Sequence, residues 1–209
     1  MAFDSALVQE SEPDEITLRI YGWKPVTLSI GALDSLSAIS PDWLERVPLV
    51  RRPTSGGILL HDAQEISFSL GGRIGRNTPD PAALECACQQ AVGKLASSNE
   101  PACATASLSD GVLNVVQKRE HDRWLLQGFV TPHGQREPCD LPPHPAGPAP
   151  LPTPEVIEGR QLEMRNLVAA LGDELEIQWV EETPRPAEVL AANRLLARQF
   201  VTRDWHERR

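Results

Sequence analysis

The chain has 209 residues, of which 41% are hydrophobic and 23% charged, and its formal net charge is −9. That length suits one domain with a real core, and the composition is ordinary for a globular protein in water. The acidic balance excludes broad nucleic-acid binding, which needs a basic face, but leaves room for a local basic cleft.

At the N-terminus, Asp4, Glu10, Glu12, Asp14 and Glu15 interrupt any apolar run, so no signal peptide is expected. No stretch approaches the roughly 18 apolar residues of a membrane span. Ile16 to Tyr21 alternates Ile16, Leu18 and Ile20 with Thr17 and Arg19, the pattern of a half-buried strand. Val26 to Ile30 repeats it after a Lys24-Pro25 turn. Leu36 to Leu44 reads as short helix or irregular chain, with Asp34 or Ser40 as cap, and Val47 to Arg52 as a strand.

Pro53 to Gly57 is a loop in which glycines permit torsions closed to other residues. Ile58 to Leu60 and Ile66 to Leu70 bracket residues 61–65 as a hairpin, with Ile66, Phe68 and Leu70 facing a core. Asp80 to Leu95 is a helix capped by Thr78 or Asp80, with Leu84, Cys88, Ala91 and Leu95 on one face. Cys103 to Leu108, Val112 to Gln117 and Arg123 to Val130 read as strands. Residues 131–154 are crowded with proline and glycine, the composition of a stiff linker. A helix over Glu155 to Leu171, stopped by Gly172, a strand-like Leu175 to Val180 and a helix over Ala187 to Val201 complete the chain. Strands come first and helices last, which predicts an α+β domain: a mixed β-sheet with helices packed on one side.

Cys86, Cys88, Cys103 and Cys139 form no paired zinc pattern and read as reduced cytosolic thiols, so no metal site is expected and the location expected is cytoplasmic. The chemistry concentrates in Leu49-Val50-Arg51-Arg52-Pro53-Thr54-Ser55-Gly56-Gly57, followed by His61-Asp62. Glycines let backbone N–H groups approach an oxyanion closely, and an Arg adds a forked, charge-assisted contact. Taken alone, the same segment could be a tight loop with a solvent-facing Arg pair.

Its surroundings decide between these. Leu18-Arg19-Ile20-Tyr21-Gly22-Trp23-Lys24-Pro25, Leu28-Ser29-Ile30-Gly31, the Arg51–Gly57 segment, His61-Asp62, Glu65-Ile66-Ser67-Phe68-Ser69, Gln117-Lys118-Arg119, Leu125-Leu126-Gln127-Gly128 and the closing Phe200 to Trp205 occur in the order of one family's motifs. Together they resemble the lipoate–protein ligase and octanoyltransferase family. The resemblance implies the fold of the biotin/lipoate ligase catalytic domain, with residues 1–209 as one catalytic domain and the proline-rich linker leading to its helical C-terminal part. It also implies an acyltransferase that moves an octanoyl or lipoyl group to a lysine of a lipoyl-carrier domain.

The same resemblance assigns roles. Arg51, Arg52, Thr54, Ser55, Gly56, Gly57 and Gln117 would bind substrate. Glu100-Pro101-Ala102-Cys103 resembles the nucleophile position of one octanoyltransferase branch, which makes Cys103 the acyl-enzyme thiol and His61 its base. The family's lysine, six residues before the matching Gln, falls on Gly111, so this is a divergent member. An ammonium there would neutralise an acyl adenylate. Its loss ranks an ATP-dependent ligase third, behind the transferase and a non-catalytic acyl- or carrier-binding homologue. Implied partners are a glycine-cleavage H protein, a 2-oxoacid dehydrogenase E2 or an acyl carrier protein, with no nucleic acid and no membrane. No cofactor is expected to be permanently bound; the octanoyl or lipoyl group is a substrate, and ATP enters only for a ligase.

Overall fold

The computed structural model describes residues 1–97, 112–131 and 154–207. The chain opens with helix α1 (Ala2–Glu10), followed by strands β1 (Ile16–Tyr21) and β2 (Thr27–Ile30), helix α2 (Pro41–Arg46), and strands β3 (Leu49–Arg51), β4 (Ile58–His61) and β5 (Ile66–Arg73). Helix α3 (Pro81–Ser97), strands β6 (Val112–Glu120) and β7 (Arg123–Thr131), and helices α4 (Pro154–Leu175), α5 (Pro186–Leu195) and α6 (Arg203–His206) follow. A π-helical turn, Leu196–Phe200, extends α5. Among the described residues, no helix is long and apolar enough to cross a membrane.

Two sheets form. The larger is four-stranded and antiparallel, in the order β1-β5-β7-β6. The smaller is three-stranded, with β2 pairing in parallel with β3 and antiparallel with β4. Alternation places Ile66, Phe68, Leu70, Trp124, Leu126 and Val130 on one face of the large sheet, where Leu84, Cys88 and Ala91 of α3 and Leu167 and Leu171 of α4 complete the main core. Gly128 lies directly opposite Phe68, and a side chain at 128 would overlap the Phe68 ring. Asp80 caps α3 through its carboxylate, which accepts from the Ala82 N–H at 2.8 Å.

The α+β class holds, but four expectations need correction. Ile58–Leu70 is not a hairpin: β4 joins the small sheet and β5 the large one. Strand β5 is buried on both faces and already has β1 and β7 as neighbours, so no edge remains for β4. Helices also cover both faces of the large sheet rather than one. The polar half of the β5 alternation, Ser67 and Ser69, and Gln127 of β7 are as buried as the apolar half, and α1, with α5 packed on it, and the Arg51–Gly57 loop cover them. Helix α1 lies before Ile16, where the sequence pattern predicts no element.

Gly172 does not stop α4, which runs to Leu175 and ends where Glu176 turns left-handed at φ 54°. A Cβ at 172 would come within 2.8 Å of the Ile177 carbonyl and 3.2 Å of the Trp179 ring, so this glycine admits the returning chain. Leu175–Val180 forms no strand after the helix ends. Leu175 and Trp179 pack on the main core while Glu176, Gln178 and Val180 face out. One-sided burial gives the same alternation without a pairing partner. The expected strand at Cys103–Leu108 and nearly all of the linker at about 131–154 lie outside the described residues.

Candidate functional site

The site forms where the two sheets meet, around the Arg51–Gly57 segment. Both arginines are fully buried, which rules out a solvent-facing pair. Arg51 points away from the large sheet. Its Nη1 donates to the Gly31 carbonyl at 2.7 Å and the Asp34 carbonyl at 2.6 Å, and its Nη2 to the His206 carbonyl at 2.9 Å. Trp205 returns the contact, its indole N–H donating to the Arg51 carbonyl at 3.1 Å. Arg51 thus ties the loop to the last helix.

Arg52 points the other way, into the site. Nη2 donates to the carbonyls of Gly57 at 2.8 Å and Ser55 at 3.2 Å, Nη1 donates to the Ser29 hydroxyl, and the guanidinium lies 5.8 Å from the centre of the Phe129 ring. Its Nε–H is buried and has no hydrogen-bond acceptor among the described residues. Burial pulls the Arg52 pKa down to about 10, with Asp34, Tyr21 and Glu65 opposing the shift, so the group stays cationic at neutral pH. Gly56 and Gly57 adopt φ of 106° and 70°, in the left-handed region that other residues rarely enter. Any side chain at 56 would also overlap Val116 of β6, which packs on the loop.

A chain of polar side chains leads away from Arg52. The Ser29 hydroxyl meets His61 Nε2, and His61 Nδ1 lies 2.8 Å and 2.9 Å from the two Glu65 carboxylate oxygens. A carboxylate only accepts, so Nδ1 carries the hydrogen and Nε2 takes that of Ser29. Ser67 donates to Glu65 and accepts from the Trp23 indole at 2.7 Å. Ser29 and Ser67 thus each donate once and accept once. Trp23 stacks on His61 at 4.1 Å between ring centres and Phe129 packs at 4.8 Å, which fixes the imidazole plane.

A second polar cluster lies beneath α1. Asp4 accepts from Arg19 at 2.5 Å, Ser69 at 2.8 Å and Gln127 at 3.0 Å. Burial pushes the Asp4 carboxyl up. The positive amino terminus, the Arg19 guanidinium and the Ser69 hydroxyl together outweigh it and hold the group below its ordinary value of 3.8. Burial, and then Asp4, push the Tyr21 phenol well up. Gln127 joins this cluster to the loop, accepting from the Thr54 hydroxyl at 2.7 Å.

The structure therefore brings together Arg52, Thr54, Gly56, Gly57 and His61 from the expected residues. Ser55 is exposed, its hydroxyl 3.4 Å from the Gln117 carbonyl. The Gln117 side chain is on the opposite face of β6, 3.4 Å from Glu85 of α3. Cys103 lies outside the described residues. Ser29, Glu65, Ser67, Gln127, Asp4 and Arg19 were not expected at the site. All but Asp4 sit inside the recognised motifs, which was the available signal. Among the described residues, no three His, Cys, Asp or Glu side chains converge as a metal site.

No protein-family model matches the chain. Octanoyltransferase LipM of Anoxybacillus flavithermus is 41% identical over 75 residues, which is 34% of this chain and 27% of that protein. The matched part thus spans about a quarter of that relative's length. A crystal structure of lipoate-protein ligase A bound with ATP has a TM-score of 0.71 at 17% identity and covers 99% of this chain and 92% of its own. The chain thus has the fold of the lipoate-protein ligases, and part of it is similar in sequence to an octanoyltransferase. A further structural neighbour comes from work on a bi-partite lipoate protein ligase and its E2 lipoyl domain from Thermoplasma acidophilum, with a TM-score of 0.69, 15% identity and coverage of 99% of this chain and 89% of that one. The lipoate-ligase fold expected from the motifs therefore extends over nearly the whole chain.

Proposed function

We propose that the chain is an acyltransferase that moves an octanoyl or lipoyl group from a thioester donor to a lysine of a lipoyl-carrier domain, in the cytoplasm, with residues 1–209 working as one catalytic unit. The observation that carries this reading is the buried Arg52 guanidinium beside the Gly56-Gly57 loop, with an Nε–H still lacking an acceptor among the described residues. A buried cation with a free donor suits a carbonyl oxygen that gains negative charge. The names of the relatives add support for octanoyl transfer and for a lipoyl domain as acceptor.

In this reading the Cys103 thiolate attacks the donor's thioester carbon, and Arg52 faces the resulting oxyanion. Collapse expels the donor thiolate, which takes up the proton that Cys103 lost. The acceptor amine then attacks the Cys103 thioester, an amide forms, and the thiol is regenerated. Thr54, Ser55 and the two glycines shape the head-group site, and Gln117 contributes through its carbonyl to Ser55. Both His61 ring nitrogens are already bonded within the chain, so we assign it the task of fixing Ser29 and, through it, Arg52, in place of the base role.

Mass spectrometry after incubation with octanoyl-carrier protein tests the proposal. The expected result is an octanoyl adduct on Cys103 that clears when an apo lipoyl domain is added. Transfer without an adduct would remove the covalent step, and pyrophosphate release from lipoate and ATP would replace the transferase with a ligase.

A further inference from the structure

A cleft of about 640 Å³ opens on the other side of the Arg51–Gly57 segment, between the end of α1, the tip of the small sheet, β6 and the α5 π-helical turn. Pro53, Leu195 and Trp205 form its apolar wall, and Lys118, Arg194 and Arg198 its charged one. A recess of about 80 Å³ that shares Pro53, Lys118 and Leu195 adds Arg123 and Glu120. Across both, the four cations Lys118, Arg123, Arg194 and Arg198 face two carboxylates, Glu10 and Glu120. The local balance is positive on a chain whose net charge is −9.

These cations are only partly satisfied. Lys118 pairs with Glu120 at 2.7 Å. Arg123 donates from Nη2 to the Gln9 carbonyl at 3.1 Å, while its buried Nε has no hydrogen-bond partner among the described residues. Among the described residues, no carboxylate pairs with Arg194 or Arg198. The π turn carries Arg198, and such irregular turns are frequent at functional sites.

The cleft also shares walls with the candidate site. Pro53 follows Arg52 directly, Trp205 is bonded to the Arg51 carbonyl, and Lys118 is two residues from Val116, which packs on Gly56. We propose that this cleft binds the phosphate of the acyl donor: an organic phosphate or phosphodiester on the arm that carries the thioester. The inference rests on the acyltransferase reading above. Guanidinium forks match phosphate oxygens, the apolar wall suits the body of an arm, and the volume lies in the usual range of small-ligand sites. The arm can belong to a free phosphorylated thiol or be anchored to a carrier protein.

The test compares three octanoyl donors, namely octanoyl-pantetheine, octanoyl-coenzyme A and octanoyl-carrier protein, on the native chain and on Arg194→Ala/Arg198→Ala. Calorimetric titration of unacylated coenzyme A runs in parallel. Both substitutions are on the surface, and circular dichroism checks that the variant folds. The expected result is about a tenfold or greater weakening of coenzyme A binding, the size of a lost charge-assisted hydrogen bond. The same rise should appear in KM for the two phosphate-bearing donors and not for octanoyl-pantetheine. A KM effect of equal size for all three donors overturns the proposal. So does a KM effect confined to the carrier protein with coenzyme A binding unchanged, which would mean recognition of an acidic protein surface. Coenzyme A binding that needs both arginines, with no transfer from any donor, would instead refute the acyltransferase reading and leave the anion site standing.

Discussion

The two faces of strand β5, at the centre of the four-stranded sheet, are equally buried and chemically opposite. Towards α3 and α4, strand β5 presents Ile66, Phe68 and Leu70, which pack into an apolar core. Towards α1 and the loop, the same strand presents Ser67 and Ser69, which are just as inaccessible to water. The first face is stabilised by area removed from water. The second keeps its polar groups only because each finds a partner, as in the Arg52–Ser29–His61–Glu65–Ser67–Trp23 chain. A strand that alternates apolar and polar residues need not have a wet side. Its polar half can instead be the lining of a site.

Truncation on each face should separate fold from function. Arg52→Ala leaves Ser29 and the carbonyls of Ser55 and Gly57 short of a donor. We expect a loss of about 3–5 kcal/mol in urea denaturation, from several buried acceptors left unmatched. Acyl transfer should fall to background even where the variant is folded. On the other face, Leu171→Ala removes a fully buried side chain of the α4 contact. A cost of about 3 kcal/mol is expected from the lost burial and the cavity, with the transfer rate per folded molecule unchanged. If Leu171→Ala slowed transfer as much as Arg52→Ala, the division between the faces would be wrong.

Ser29→Ala probes the polar chain at its centre. It leaves Arg52 Nη1 and His61 Nε2 without their shared partner, at a cost of about 1–3 kcal/mol. The fold should survive while Arg52 loses one of its anchors, so kcat should fall more than KM rises. Stopped-flow transfer assays alongside denaturation curves would show that split, and unchanged kcat would remove Ser29 from the positioning chain.

The Arg-Arg-Pro-Thr segment was legible because an unusual local composition needs no tertiary knowledge. Ser29, Ser67 and Gln127 were harder. In a strand, each reads as the solvated half of an alternating pattern, and only the covering helices and loop show that this half is also buried. Gln117 was chosen and Gln127 passed over for a related reason. Both carry the same amide, but the register of β6 against β7 sets Gln117 opposite Leu126, on the face towards α3, and a strand's facing changes with each residue. The supposed β4–β5 hairpin failed because pairing was settled by β1, β2 and β7, all remote from that turn. Asp4 looked like a charge breaking an apolar run at the N-terminus, yet it is the buried anchor of the second polar cluster.

Asp4 gives the smallest expected effect and the one that depends on pH. Its folded-state pKa is held below the ordinary 3.8. The folded chain therefore binds a proton at Asp4 less readily than the unfolded chain does, and stability rises with pH across the interval between the two values. This contribution is fully present above pH 3.8 and is lost as the pH falls through the depressed folded value. Asp4→Asn keeps an acceptor for Ser69 but removes the charge facing Arg19. The urea midpoint of the native chain should therefore fall more steeply below pH 3.8 than that of Asp4→Asn, and the two curves should run parallel from pH 5 to 7, where the carboxylate stays ionised. Parallel curves below pH 3.8 as well would mean that Asp4 feels no net stabilisation from its cations, and the second cluster would then owe its order to hydrogen bonding alone.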